Sequence, residues 1–232
     1  ALLFPGDSDV FGVAMVGLGR DKILRKLRNP DRFTEVARRF GPLTRWVDPD
    51  VASPITEVMP MGAIQNRRLR FWNGDAPSAS GIVNVGDSVL STNPSLGRGI
   101  AIALVGALEL REVVRQSEDP VVVTTRYDAV KEERIAPWLW DAVESDRGMR
   151  LALKKALGNS NGEPDSDRAL LVRASFGDME CWRRWAGVNQ VFDLPSSCLE
   201  DEELMERARA IAADVAPPTH DLSREDLEAI LT

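Results

Sequence analysis

Gly86-Asp87 and the run Asn93 to Gly99 are the residues whose types and spacing suit ligand chemistry. They lie in residues 81–110, GIVNVGDSVLSTNPSLGRGIAIALVGALEL. Ile82, Val83 and Val85 form a short apolar run that predicts a buried strand, and Gly86-Asp87 ends it with a carboxylate at the strand's carboxyl end. Asn93-Pro94 follows, then Gly97 and Gly99 on either side of Arg98, and a helical pattern runs from Ile100 to Val114. Glycines just before a helix let backbone N–H groups approach a ligand closely, and the helix N-terminus favours negative charge. The result is a strand, a ligand-contacting loop and a helix in succession. Arg98 offers a fixed charge and planar donors to such a ligand, and a solvated loop arginine fits the same spacing.

The order Gly86-Asp87, five intervening residues, Asn93-Pro94, then Gly97-x-Gly99 resembles the second flavin-binding motif of the FAD-dependent monooxygenases related to p-hydroxybenzoate hydroxylase. The resemblance implies that Asp87 binds the ribityl hydroxyls of FAD and that the amides around Pro94 to Gly99 face the flavin ring. It makes Gly86, Asp87, Asn93, Pro94, Gly97, Arg98, Gly99 and Ile100 the cofactor-binding candidates. Leu90 stands where many members have His, and Ala101 where many have Asn, which places the chain on an outlying branch. The family carries its dinucleotide fingerprint near the N-terminus of a chain about twice this long, so the resemblance implies the C-terminal part of such an enzyme. The implied fold is α/β, reading as α+β over these residues: a partial FAD-binding domain, a substrate-side β-sheet and a C-terminal helical region. The implied reaction uses NAD(P)H and O2 to hydroxylate or epoxidise an organic small molecule, with FAD as cofactor. Lacking the first βαβ unit, these residues alone are expected to hold FAD weakly or not at all.

The elements that must position the motif fall into three stretches: 1–76 as the substrate-side sheet with covering helices, 77–116 as the strand-loop-helix, and 117–232 as the helical region. Ala1 to Phe4 and Val10 to Val16 predict a hairpin across Pro5-Gly6-Asp7-Ser8-Asp9. Gly17-Leu18-Gly19 after an apolar strand imitates a dinucleotide-binding start, but Lys22 stands at the third glycine's place; an edge strand and turn, then a helical pattern from Asp21 to Leu27, is the plainer expectation. Asn29-Pro30 predicts a helix start, with Phe33, Val36, Ala37 and Phe40 on one face and Gly41-Pro42 as its stop. Ile55 to Met61 and Gln65 to Trp72 read as strands. In the resembled family such strands line the substrate cavity, which makes Met59, Met61 and Trp72 substrate-wall candidates; ordinary core packing suits them equally. From Pro120 on, helices are predicted to Gly158 with a break at Pro137, over Arg168 to Gln190, over Glu200 to Val215, and from Leu222 to Leu231, where Ser223-Arg224-Glu225-Asp226 has the Ser-x-x-Asp form of a helix start, with 158–167 as a linker.

Composition narrows the remaining classes. With 232 residues, 44% of them hydrophobic and 28% charged, the chain can bury a sizeable core. A net charge of -7 and a pI near 5.0 speak against a nucleic-acid partner, and the basic cluster Asn66-Arg67-Arg68-Leu69-Arg70 reads as a solvated strand face. Cys181, Cys198 and a single histidine, His220, have no usual metal-ligand spacing. A reduced cytoplasmic setting fits two unpatterned cysteines, and the run Ile100 to Leu108 is too short to span a bilayer. Trp138, Trp140, Trp182 and Trp185 read as core or interface anchors. An open sheet edge and exposed apolar surface would favour a homodimer. No Ser/His/Asp or Cys/His constellation is visible, so no catalytic residue is named. Two alternatives stand beside the monooxygenase: a flavin-dependent reductase or halogenase of the same fold, and a non-catalytic binding or assembly domain.

Overall fold

The structure is a computed structural model that describes residues 1–17, 21–62, 64–74, 76–156, 164–216 and 222–232. The fold is mixed α+β: helices dominate, and the described strands form three two-stranded antiparallel sheets. No parallel βαβ sheet is present among the described residues. The chain divides into two compact units, Ala1–Ala63 with Pro218–Thr232, and Ile64–Pro217. The boundaries read from the sequence lie elsewhere, at 76/77 and 116/117.

In the first unit, β1 (Leu2–Pro5) pairs antiparallel with β2 (Phe11–Ala14), forming the expected hairpin. A 3-10 segment, Ile23–Arg28, replaces the helix read from Asp21. Then α1 (Pro30–Arg39) starts as its cap predicts: the Asn29 side chain accepts from the Arg32 amide at 3.0 Å, and Pro30 occupies the first turn, where its missing N–H costs nothing. Val36 and Ala37 are buried from its apolar face. Gly41-Pro42 ends α1 and opens a single further turn, α2 (Gly41–Thr44). Residues 55–61, expected as a strand, have irregular backbone, and Pro54 and Pro60 explain it because neither has an N–H to give a ladder.

The second unit carries the motif. Its strands are minimal: β3 (Arg67–Arg68) pairs with β6 (Leu90–Ser91), and β4 (Trp72–Asn73) with β5 (Ala76–Pro77). The Gln65 to Trp72 strand is thus reduced to two short pieces. Its helices are α3 (Gly99–Gln116), α4 (Pro120–Arg134), α5 (Pro137–Ala156), α6 (Asp167–Ala174), α7 (Met179–Asn189), α8 (Ser196–Leu199) and α9 (Glu202–Asp214). The break at Pro137 falls where its ring predicts. The helix expected over 168–190 is two helices, α6 and α7, because Asp178 caps α7 by accepting from the Glu180 and Cys181 amides. Gly177 permits that corner: a Cβ there would lie 2.7 Å from the Val215 side chain. Of the 158–167 linker, residues 158–163 lie outside the described set.

The core of this unit gathers Val89, Leu90, Ile102, Trp138, Leu171, Ala174, Cys181, Met205 and Ala208. Helices α3 and α4 are joined by a close approach: the buried Tyr127 hydroxyl donates to the Gly106 carbonyl at 3.1 Å, and a Cβ on Gly106 would stand 3.3 Å from that oxygen. Trp138 is buried and Trp185 packs against the core, as expected for anchors; Trp140 and Trp182 are exposed. In the first unit, α10 (Arg224–Leu231) begins with the Ser223/Asp226 capping box that its sequence predicts and buries Leu231. Arg224 ties it to Asp21, with a second contact at 3.2 Å.

Candidate functional site

The strand expected at Ile82 to Val85 is absent, and its bonding is replaced by a side chain. Gly81 and Gly86 hold positive φ at 79° and 58°, so the backbone bends at both ends. Between them Asn84 is buried and its amide donates to the Leu69 carbonyl at 3.1 Å and the Ser88 carbonyl at 2.7 Å. The strand that does form begins five residues after Val85, at Leu90–Ser91. Asp87 therefore sits in a 3-10 turn, Gly86–Ser88, and is exposed. It still reaches the start of α3: its Oδ1 lies 4.0 Å from where a Cβ on Gly99 would be.

The loop from Asn93 to Gly97 is held from below. The Asn93 amide N–H donates to Asn66 Oδ1, and both asparagine side chains donate to the Asp146 carboxylate, each at 2.8 Å. Asn93 Oδ1 also accepts from the Ser95 amide at 3.1 Å, starting a 3-10 turn over Pro94–Leu96. Gly97 ends that turn with φ 66°, a left-handed conformation that favours glycine. Arg98 then caps α3 without a side-chain bond, and the helical ladder begins at Ile102 donating to the Arg98 carbonyl. The Gly99, Ile100 and Ala101 amides thus have no intrahelical acceptor, and Gly99 and Ile100 are exposed.

Arg98 is turned inward. Its guanidinium donates to Asp141 Oδ2 at 2.6 Å, the Arg168 Nε donates to Asp141 Oδ1 at 2.8 Å, and the Trp138 ring lies 5.1 Å from the Arg98 guanidinium carbon. Arg98 is 4% exposed and Asp141 6%. Burial pulls the Arg98 pKa down, and Asp141 opposes that shift. Its Nε, like Asn189 Oδ1, is buried without a hydrogen-bond partner among the described residues. Arg98, read either as a ligand contact or as a solvated loop arginine, is not solvated: its charge is engaged inside the protein by Asp141.

Behind the loop lies a cavity of about 10 Å³ lined by Arg98, Asp141, Arg168, Trp185, Asn189 and Cys198, among others. That volume suits about one water molecule and excludes an organic substrate. The basic cluster is also corrected. Arg68 pairs with Glu132, and Arg70 donates to Asp128 at 3.0 and 2.5 Å, so two of its three arginines tie β3 and the following chain to α4. Lys131 completes this network, donating to Asn84 Oδ1 at 2.8 Å and lying 3.4 Å from Asp128. Burial lowers the Lys131 pKa, against the pull of Asp128.

Met59 and Met61 are exposed in the first unit, and Trp72 is half-buried in the second with the Arg70 guanidinium over its ring at 4.8 Å. None of the three lines the cavity. Cys181 and Cys198 are buried free thiols, burial pushing Cys181 up to about 11 and raising Cys198. His220 lies outside the described residues, as do Leu18 and Gly19 of the dinucleotide-like turn; among the described residues no three His, Cys, Asp or Glu gather for a metal. No helix among the described residues is long and apolar enough to cross a membrane.

The motif's Gly86-Asp87 and Gly99-Ile100 are thus brought together, while the side chains of Asn93 and Arg98 are engaged in support. Sequence reasoning missed Asn66, Asn84, Lys131, Asp141 and Asp146. One signal was present: Asp141 falls on the helical face of Trp138, Ala142 and Ser145, all buried. Comparison of the chain with protein-family models, with curated proteins and with solved structures finds no match.

Proposed function

We propose that residues 81–110 are one half of a flavin site, and that the parent activity is that of an FAD-dependent oxidoreductase, a monooxygenase acting on an organic small molecule with NAD(P)H and O2. The observation that carries the reading is the exposed Asp87 carboxylate beside the uncapped N-terminus of α3. A carboxylate accepts from hydroxyls, and unpaired first-turn amides donate to an electron-rich edge; a ribityl chain joined to an isoalloxazine presents both. The residues present fit that group through Asp87 and the amides of Gly99, Ile100 and Ala101. They do not fit it through the side chains of Asn93 and Arg98. FAD, when bound, would supply electron transfer from NAD(P)H to O2 and the oxygen delivered to substrate. The chain's own contribution is position: Asp146 and Asp141 hold the loop, so its donors need no rearrangement when a ligand arrives.

The test is flavin binding by the protein from the intact reading frame, followed at its visible absorbance and by NAD(P)H oxidation with candidate substrates. Asp87→Ala should weaken binding roughly 10-fold or more, the value of a charge-assisted hydrogen bond. An intact protein that takes up no flavin refutes the proposal, and tight FAD on these 232 residues alone refutes the half-site version of it. A second reading, a binding or assembly module, is favoured by one observation: Ile100, Leu104 and Leu108 present an apolar stripe to solvent.

A further inference from the structure

Helix α3 is buried on one side by Ile102, Gly106 and Val113, and its opposite side is apolar in the open. Ile100 is 79% exposed, Leu104 59% and Leu108 51%, four residues apart and therefore in one row along the helix. Val114 continues the exposed apolar side, and Ile82 and Val85, also exposed, belong to the turn that precedes Gly86, where a Cβ would stand 3.5 Å from the Ala103 Cβ. Three large aliphatic side chains in a row are more than scattered surface leucines require.

The two ends of this row carry opposite charge. At the N-terminal end stands the exposed Asp87, next to Gly99. Towards the C-terminal end Arg111 and Arg115 lie on the row's continuation, and both reach a single carboxylate, Glu112, at 2.8 and 3.3 Å. Two guanidiniums on one carboxylate leave a net positive charge. An apolar centre with a negative end and a positive end is complementary to itself under a twofold axis.

We infer that α3 pairs antiparallel with α3 of a second copy of this chain. With the axis level with residue 106, Leu104 meets Leu108 of the other copy, and Gly99 with its neighbour Asp87 comes level with residue 113, between the other copy's Arg111 and Arg115. The antiparallel arrangement also sets each helix N-terminus beside the other helix's C-terminal turn, the favourable direction for the two dipoles. The stripe is short, so the dimer is weak and concentration-dependent, and its charged ends make it salt-sensitive. The inference does not rest on the flavin reading: it needs no ligand, its measurement contains none, and a flavin held at Asp87 would compete with the second copy for that carboxylate.

Sedimentation velocity of the chain without flavin tests it. The mass should double between roughly 1 and 100 μM, the range of a small interface. Leu104→Glu, at an exposed position, should raise the dissociation constant at least ~10-fold by burying a charge, with helical circular dichroism unchanged. Asp87→Arg should weaken the dimer, and combining it with Arg111→Asp and Arg115→Asp should restore it. In a Leu104→Cys, Leu108→Cys double variant, diamide should link two chains covalently, the native thiols being buried. A monomer at roughly 200 μM, or a dimer that Leu104→Glu leaves intact, overturns the inference; so does failure of the charge reversal to restore pairing.

Discussion

Replacing Asp141 by asparagine keeps the shape of the side chain and removes the one carboxylate between Arg98 and Arg168. In the native protein Arg98 and Asp141 have side chains only 3% exposed, and Arg168 is 14% exposed. Removing one partner of a buried pair leaves a desolvated charge behind, which costs about 3–5 kcal/mol. Here the cost falls on Arg98, because its Nε already lacks a partner among the described residues and its charge is already opposed by burial. Arg168 has more access to water and recovers part of its loss. For a unit of this size each kcal/mol moves the melting temperature by about 2–4 °C, so Asp141→Asn should lower it by roughly 10 °C. The double variant Arg98→Met, Asp141→Leu removes both charges and should recover most of that loss, since an apolar pair of similar volume is close to neutral. Urea unfolding followed by tryptophan fluorescence measures both, Trp138 lying against the Arg98 guanidinium. If Asp141→Asn falls within about 1 kcal/mol of the native protein, or the double variant is no better than the single, the triad is not what holds the loop.

Alkaline stability should be limited by Tyr127. Burial, with Glu109 adding to it, pushes its hydroxyl up to about 12. Above its ordinary value the unfolded chain loses this proton first, so the stabilisation is complete below about pH 10 and is lost as pH rises towards 12, worth of order 2 kcal/mol; Tyr127→Phe should flatten that limb of the pH profile. Both cysteines should be silent to a thiol reagent at pH 8 in the folded protein and react fully in denaturant, since both are buried with raised values; rapid labelling of native protein would contradict the burial. Asp119 accepts from the Val121 amide at 2.8 Å and the Val122 amide at 3.3 Å, so Asp119→Ala should destabilise the unit by about 1 kcal/mol, read from urea midpoints at constant slope.

Wherever the deciding interaction spans a few residues, the chain could be read directly. The caps at Asn29 and Ser223, the break at Pro137 and the start of α3 after Gly97-x-Gly99 are contests between a side chain and its neighbouring amides, or limits on one φ angle. The same holds for the hairpin Leu2–Pro5 with Phe11–Ala14. The short strands failed because an apolar run such as Ile82 to Val85 needs a neighbour to pair with, and none is visible in a local pattern. Asn84 took the bonds that a neighbouring strand would have provided.

The candidate site divides in the same way. Residue types and spacing determined that Asp87, Gly97 and Gly99 precede a helix with free amides, because glycine conformation and helix ends are local properties. Tertiary structure decided what the charges do. Arg98 points at Asp141, 43 positions away, and Asn93 at Asp146, 53 away, so an arginine that suits a ligand became an internal strut. Such pairings depend on which helix faces which loop. The physical reason is that the worth of a charge is set by its burial and its partner, and both come into being only when the chain has folded.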